Sequence, residues 1–145
     1  MSMYGRVTSG VVVGVAVLCG LSLSASAQTA PVVSVGLIQQ DSSDCLNSTV
    51  KDDPNRTRGG KIWVTRNSNG TTNVRVGMTV TPNTTYHFYL KCVRQLGDIR
   101  TDDDGIGLAS FDFQTSSVGS TYAFDMYPEG APSGNKFQSV TVSFP

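Results

Sequence analysis

The chain contains one histidine, and its surroundings raise the question of catalysis. His87 lies in the segment VTPNTTYHFYLKC, between two aromatic residues and shortly before Cys92. A histidine base needs a nucleophile and an orienting carboxylate that converge on it. The sequence contains no nucleophile elbow, zinc-protease helix, phosphate-binding loop or paired-carboxylate motif. We therefore interpret His87 as a solvated side chain on a strand and expect a protein that is not an enzyme.

Three consecutive carboxylates in the segment TDDDG raise the question of calcium. Asp102, Asp103 and Asp104 offer oxygen ligands, of which calcium takes about six to eight. The EF-hand pattern fails, because a loop with Gly105 at its sixth position would begin at Arg100. We favour an acidic hairpin tip. Calcium bound by these three residues stays the alternative, and no other cofactor is expected.

Three aromatic residues fall opposite the apolar faces that we assign to the core: Trp63, Tyr89 and Tyr127. Aromatic side chains on the face of a sheet can stack on sugar rings or anchor a partner. They are the candidate binding residues. The alternative is that both sides of their strands are buried, and for Trp63 this is the interpretation that we favour.

Strands must position these residues, and apolar and polar residues alternate through most of the chain. Such alternation is typical of an antiparallel sheet with one packed face. We therefore expect a single all-β domain, an antiparallel β-sandwich of about eight strands. The expected inward positions are Val33, Val35, Leu37, Ile62, Val64, Val74, Val76, Met78, Val80, Tyr86, Phe88, Leu90, Cys92, Tyr122, Phe124, Met126, Val140, Val142 and Phe144.

Four segments interrupt the alternation in different ways. Asn, Asp and Gly predict hairpins at Asn67–Gly70 and Thr101–Gly105. In GIGLASFDF the apolar residues change parity, which predicts a β-bulge near Leu108. Gln39–Gly60 has no periodicity and reads as a long loop, a feature that is uncommon in compact domains and often functional.

The N-terminal residues have the pattern of a signal peptide. Arg6 precedes the apolar run VVVGVAVLCGLSL, and Ala25 and Ala27 suit cleavage after Ala27. The run is short for a membrane span, so an uncleaved anchor is the alternative. Residues 28–145 would form the domain, secreted or periplasmic, with no further span. The 11 basic and 11 acidic residues balance, so we expect no nucleic-acid partner.

Cysteine and asparagine usage bears on export. Cys45 and Cys92 form an even pair after cleavage, which predicts a disulfide; two buried thiols are the alternative. Two cysteines and one histidine do not suit a zinc site.

Glycosylation would require a eukaryotic host, and the signal peptide looks bacterial. We therefore interpret the four N-x-[ST] sequons as turn sequences: Asn47, Asn55, Asn69 and Asn83.

The segment VTPNTTY carries a resemblance to a known family. Val80, Pro82, Thr84 and Tyr86 resemble the tyrosine corner of fibronectin type III domains. The resemblance implies an immunoglobulin-like sandwich, a Tyr86 hydroxyl bonded to nearby backbone, and a core tryptophan, for which Trp63 is the only candidate. About four strands follow the corner, so the family's strand order is not carried over. The chain as a whole resembles small exported bacterial β-sandwich proteins of unassigned role.

These patterns favour a class of function and leave the partner open. We expect an exported, non-enzymatic binding or structural module of the cell envelope or extracellular space. Its partner would be a macromolecule or a surface glycan. The alternatives are a calcium-stabilised adhesion domain and a secreted hydrolase.

Overall fold

The computed structural model describes residues 29–131 and 136–144, so the expected signal peptide lies outside the described residues. The described part is built of strands, with one 3-10 turn at Thr115–Ser117. The strands are β1 (Val32–Gln39), β2 (Arg58–Arg66), β3 (Thr71–Thr79), β4 (Thr85–Leu90), β5 (Arg94–Arg100), β6 (Ile106–Gln114), β7 (Thr121–Tyr122), β8 (Phe124–Pro128), β9 (Phe137–Ser139) and β10 (Val142–Ser143).

Eight of these strands form one sheet in the order β5-β4-β8-β9-β1-β2-β3-β6. Every pairing in it is antiparallel, and the short strands β7 and β10 pair separately. The predicted all-β antiparallel class is therefore confirmed. The described chain has ten strands rather than about eight, because the strand is interrupted between Tyr122 and Phe124 and between Ser139 and Val142, which separates β7 from β8 and β9 from β10.

The sheet folds back on itself so that its two halves enclose one core. Phe88 of β4 stacks on Phe111 of β6, with ring centroids 5.6 Å apart, although the two strands lie far apart in the sheet order. A Cβ at Gly97 of β5 would lie 2.5 Å from the Phe111 ring. The two halves thus pack face to face as a β-sandwich, and the inward positions of the alternating strands fill the space between them.

Cys92 does not lie on the inward face, contrary to the expectation. Strand β4 ends at Leu90, and the backbone N–H of Val93 donates to the Leu90 carbonyl to close a turn. Cys92 is exposed in that turn, with φ of +58°. The alternation stops there because the chain reverses into β5.

The bulge expected near Leu108 is absent, and this prediction is wrong. Strands β3 and β6 pair without interruption from Thr71–Gln114 to Thr79–Ile106. The inward position belongs to Gly107, where a Cβ would lie 3.0 Å from side-chain atoms of both Ile99 and Met78. The larger apolar side chains of β6 near this point therefore face outward: Ile106 is 45% and Leu108 79% exposed.

The two predicted hairpins differ in outcome. Asn67–Gly70 joins the paired strands β2 and β3, as expected. Thr101–Gly105 is not a hairpin, because β5 and β6 lie at opposite ends of the sheet. It is an arch between the two halves, and Gly105, with φ of +78°, has its carbonyl bonded to the Val80 N–H at 2.9 Å.

A second arch, between β3 and β4, contains the segment that resembles a tyrosine corner. Tyr86 is buried, and its hydroxyl accepts a hydrogen bond from the Thr81 backbone N–H at 3.3 Å. This bond is the one that the resemblance implies. The relation to fibronectin type III or immunoglobulin domains stays a prediction.

Candidate functional site

Trp63 lies on the outer face of the β2–β3–β6 half of the sheet. It pairs directly with Arg75 across the strands, and its six-membered ring approaches Gly77. A Cβ at Gly77 would lie 3.4 Å from Trp63 Cζ3, which is ordinary van der Waals contact, so the indole packs over the backbone of Gly77. Trp63 is half-buried and outside the core cluster. The favoured interpretation of a core tryptophan is wrong, because the strand alternation places Ile62 and Val64 inward instead.

Two cations flank this indole. Lys61 Nζ and the Arg75 guanidinium carbon each lie 5.7 Å from the ring centroid, within cation–π range. Among the described residues, neither cation has a carboxylate within salt-bridge distance. The nearby Asp112 accepts a hydrogen bond from Asn73 Nδ2 at 3.0 Å. The two cations beside the indole are therefore free of ion pairs within the described residues.

An open, shallow depression of about 380 Å³ adjoins the indole. Leu108 forms one wall and is the most exposed large apolar side chain among the described residues. The depression is lined by Trp63, Arg75, Val76, Leu108, Ala109 and Ser110. We call the surface formed by Lys61, Trp63, Arg75, Leu108 and Ser110 the tryptophan face.

Tyr89 and Tyr127 lie on the outer face of the other half of the sheet, away from Trp63. Their rings stack on each other, with centroids 4.9 Å apart and 14° between planes. Burial raises the pKa of Tyr127 to about 12, helped by the neighbouring Tyr89 side chain and by the charge of Asp125. Lys136 Nζ also lies 5.6 Å from the centroid of the Tyr127 ring. Because the two rings cover each other, this pair offers less free aromatic surface than the indole.

His87 packs edge-on against both tyrosines, with ring centroids 6.4 and 6.3 Å away. Its Nδ1 lies 2.6 Å from Asp98 Oδ1, and Gln95 Nε2 donates to the same Asp98 oxygen at 2.6 Å. We had expected a freely solvated side chain. The structure shows instead that neighbouring residues hold His87 in place. Neither hydrogen-bond partner is a hydroxyl or thiol nucleophile. The absence of enzymatic activity stays a prediction.

The three candidate calcium ligands are exposed at the arch between β5 and β6. Asp102 Oδ1 accepts hydrogen bonds from the backbone N–H groups of Asp104 at 3.0 Å and Ile106 at 2.8 Å. This carboxylate therefore stabilises the turn itself. In residues 29–131 and 136–144, no three His, Cys, Asp or Glu side chains are grouped to hold a metal ion. Calcium binding by Asp102, Asp103 and Asp104 stays a prediction.

The predicted Cys45–Cys92 disulfide is present, with Cα atoms 5.5 Å apart. It ties the long loop to the turn after β4. The loop covers residues 40–57, shorter than expected, because Gln39 and Arg58–Gly60 belong to strands. The sequence pattern did not reveal Arg58–Gly60 as strand residues, because Gly59 and Gly60 have no side chain that could show an alternation. A Cβ at Gly59 would lie 2.4 Å from the Phe137 ring.

A buried polar network beneath the loop was not predicted. Lys91 Nζ donates to the Ser42 carbonyl at 2.6 Å and to Asn47 Oδ1, and lies 3.6 Å from Asp125 Oδ2. Burial raises the pKa of Asp125, and Lys91 acts in the opposite direction. Gln138 is fully buried and bonds both backbone groups of Ser42. The only feature of the sequence that pointed to this network was the position of Lys91 next to the disulfide cysteine Cys92.

The four sequon asparagines differ in their exposure and backbone conformation. Asn47 is fully buried, and its Nδ2 donates to the Ser139 carbonyl at 3.0 Å. Asn47 and Asn83 both have positive φ, 52° and 51°, which supports their interpretation as turn residues. Asn55 and Asn69 are exposed.

No protein-family model matches the chain, and no curated protein matches it significantly. The described residues, 29–131 and 136–144, include no helix long and apolar enough to cross a membrane. The function must therefore be argued from the molecule itself.

Proposed function

We propose that the protein is an exported, non-enzymatic module that binds a surface glycan through the tryptophan face. The observation that carries the proposal is the position of Trp63. Its indole lies against Gly77 on an outer sheet face, between two cations and beside the exposed Leu108. An aromatic ring fixed in this way can pack against the apolar face of a sugar ring with little loss of side-chain entropy.

Export is supported by two features that are independent of the binding face. The Cys45–Cys92 disulfide is consistent with an oxidising compartment outside the cytoplasm. The first 27 residues have the charge, apolar run and small-residue site of a signal peptide. We therefore place the module in the periplasm or outside the cell.

The other candidate functions have weaker support. The Tyr89–Tyr127 pair uses its ring faces for mutual stacking and is the second choice as a binding surface. Calcium-stabilised adhesion and hydrolysis gain no specific observation in the described part of the chain. A purely structural role at the envelope is the remaining alternative. The binding experiment described next distinguishes it from glycan binding.

The test is binding of the mature, oxidised protein to an array of immobilised neutral and acidic polysaccharides. Trp63→Ala should weaken binding by about tenfold or more, because a central aromatic anchor contributes roughly 2 kcal/mol or more. Tyr127→Ala, on the opposite outer face, is the matched control and should retain binding. Both variants must show cooperative thermal unfolding. Absence of binding to every polysaccharide, or equal binding by Trp63→Ala, would sink the proposal.

A further inference from the structure

We infer that the glycan bound by the tryptophan face is an acidic polysaccharide, one whose sugar rings carry carboxylates. The inference rests on the proposed function and names the chemical class of its ligand. It depends on three features of the face: the ring that would stack, the cations beside it, and the lack of described carboxylates in ion pairs with those cations.

The first feature is a surface of suitable shape for a sugar ring. The depression beside Trp63 has a volume of about 380 Å³, in the range of roughly 300–1,000 Å³ that is usual for small-ligand sites. Leu108 extends the apolar surface, and Ser110, directly opposite Arg75, adds a hydroxyl at its rim. A ring with one apolar face and a polar edge fits this combination.

The second feature is the placement of the two cations. Arg75 faces Trp63 across the strand pair, and Lys61 precedes Trp63 by two residues on the same face of β2. Each cation lies 5.7 Å from the indole centroid. A group attached to a stacked sugar ring would therefore lie within reach of either side chain. The planar guanidinium of Arg75 can bind a carboxylate through two parallel hydrogen bonds.

The third feature is that no carboxylate within residues 29–131 and 136–144 forms an ion pair with either cation. Asp112 on the same side of the sheet is bonded to Asn73, and Asp52 pairs with Arg58 at 2.8 Å. Neither carboxylate forms an ion pair with Lys61 or Arg75. The 11 basic and 11 acidic residues of the chain balance, so the positive charge is a local property of this face. Charge complementarity therefore favours an anionic sugar over a neutral one.

The experiment compares polygalacturonate with its fully methyl-esterified form, in which the same sugar rings carry no charge. Binding to the oxidised wild-type protein is followed by Trp63 fluorescence and by calorimetry. We expect the acid to bind at least tenfold more tightly than the ester, and added salt to reduce that difference. Arg75→Gln should weaken binding of the acid roughly tenfold to a hundredfold, since it removes a charged hydrogen-bond donor. Lys61→Gln should have a smaller effect in the same direction.

Arg94→Gln is the matched control, because it removes one exposed positive charge from β5, in the half of the sheet that does not carry the tryptophan face. Its affinity for the acid should stay at the wild-type value. Equal binding of acid and ester, with Arg75→Gln unchanged and Trp63→Ala impaired, would overturn the inference and leave the proposed function standing. Equal losses in Arg75→Gln and Arg94→Gln would overturn it as well, since they indicate non-specific attraction. No binding of either polymer, with neutral glycans still bound on the array, would reject the acidic class alone.

Discussion

At the scale of single residues, Asp44 shows how one carboxylate organises the start of the long loop. Its Oδ1 accepts hydrogen bonds from the backbone N–H groups of Ser48 and Leu46, each at 3.0 Å. Its Oδ2 accepts from Ser42 Oγ at 2.7 Å. The Ser48 bond and then the Ser42 bond lower the pKa of Asp44 from 3.8 to about 2.

This arrangement predicts a pH dependence of known sign. Because the pKa of Asp44 is lower in the folded state, its contribution to stability is present above about pH 3.8 and lost as the pH falls through about 2. A carboxyl-detected NMR titration should place the Asp44 midpoint near 2. Ser42→Ala should raise that midpoint, and Ser43→Ala, at the exposed neighbouring position, should not. A wild-type midpoint near 4 would contradict the hydrogen-bond assignment.

Alternation along the strands gives the correct outward direction for the three aromatic residues, although we favoured a core position for Trp63. Trp63, Tyr89 and Tyr127 all lie opposite the core, as the period of two predicts. The same rule failed for Lys91 and Gln138, whose polar side chains suggest exposure but are buried. Their burial depends on the loop of residues 40–57 covering an outer face, and no local pattern encodes that contact.

At the scale of elements, this loop is fixed by a covalent bond and by a buried ion pair. Lys91 joins the turn after β4 to Ser42 and Asn47 of the loop and to Asp125 of β8. The Lys91 and Asp125 side chains are each 8% exposed. Removing one partner of such a pair leaves a buried charge without compensation, which makes the pair sensitive to substitution.

We therefore expect Lys91→Met to lower the free energy of unfolding by about 3–5 kcal/mol. Urea denaturation of the oxidised protein measures the loss. Lys51→Met, in an exposed part of the same loop, should change stability by less than about 0.5 kcal/mol.

A second variant separates the ion pair from the packing around it. Lys91→Met combined with Asp125→Leu removes both charges, so the double variant should be more stable than the sum of the single changes implies. Strictly additive losses would show that Lys91 and Asp125 do not interact in the folded protein.

Two elements differ from what the sequence pattern predicted: strand β6 and the turn at residues 101–105. The parity change in β6 suggested a bulge, yet the strand is regular because Ile99 and Met78 fill the inward space at Gly107. Residues 101–105 have the composition of a hairpin but form an arch between the two halves. In both cases β5 is involved, through Ile99 and through its pairing with β4, and local composition does not reveal the position of that strand.

At the scale of the whole molecule, the class of fold followed from the sequence and the strand order did not. Alternation and turn composition suffice for an antiparallel all-β sandwich. Which strand pairs with which depends on long-range packing, and here the folded sheet brings β5 and β6 together from its two ends. The same folding separates the tryptophan face from the Tyr89–Tyr127 pair, so the aromatic candidates do not form one site.

The central claim is that Trp63 belongs to a binding surface and not to the core. It is the only tryptophan in the chain, so the fluorescence of the whole protein reports on this residue. The account predicts an emission maximum at longer wavelength than that of a buried tryptophan, quenching by acrylamide, and a shift when an acidic polysaccharide is added. Short-wavelength emission that resists acrylamide and ignores every polysaccharide would place Trp63 in the core and contradict the account.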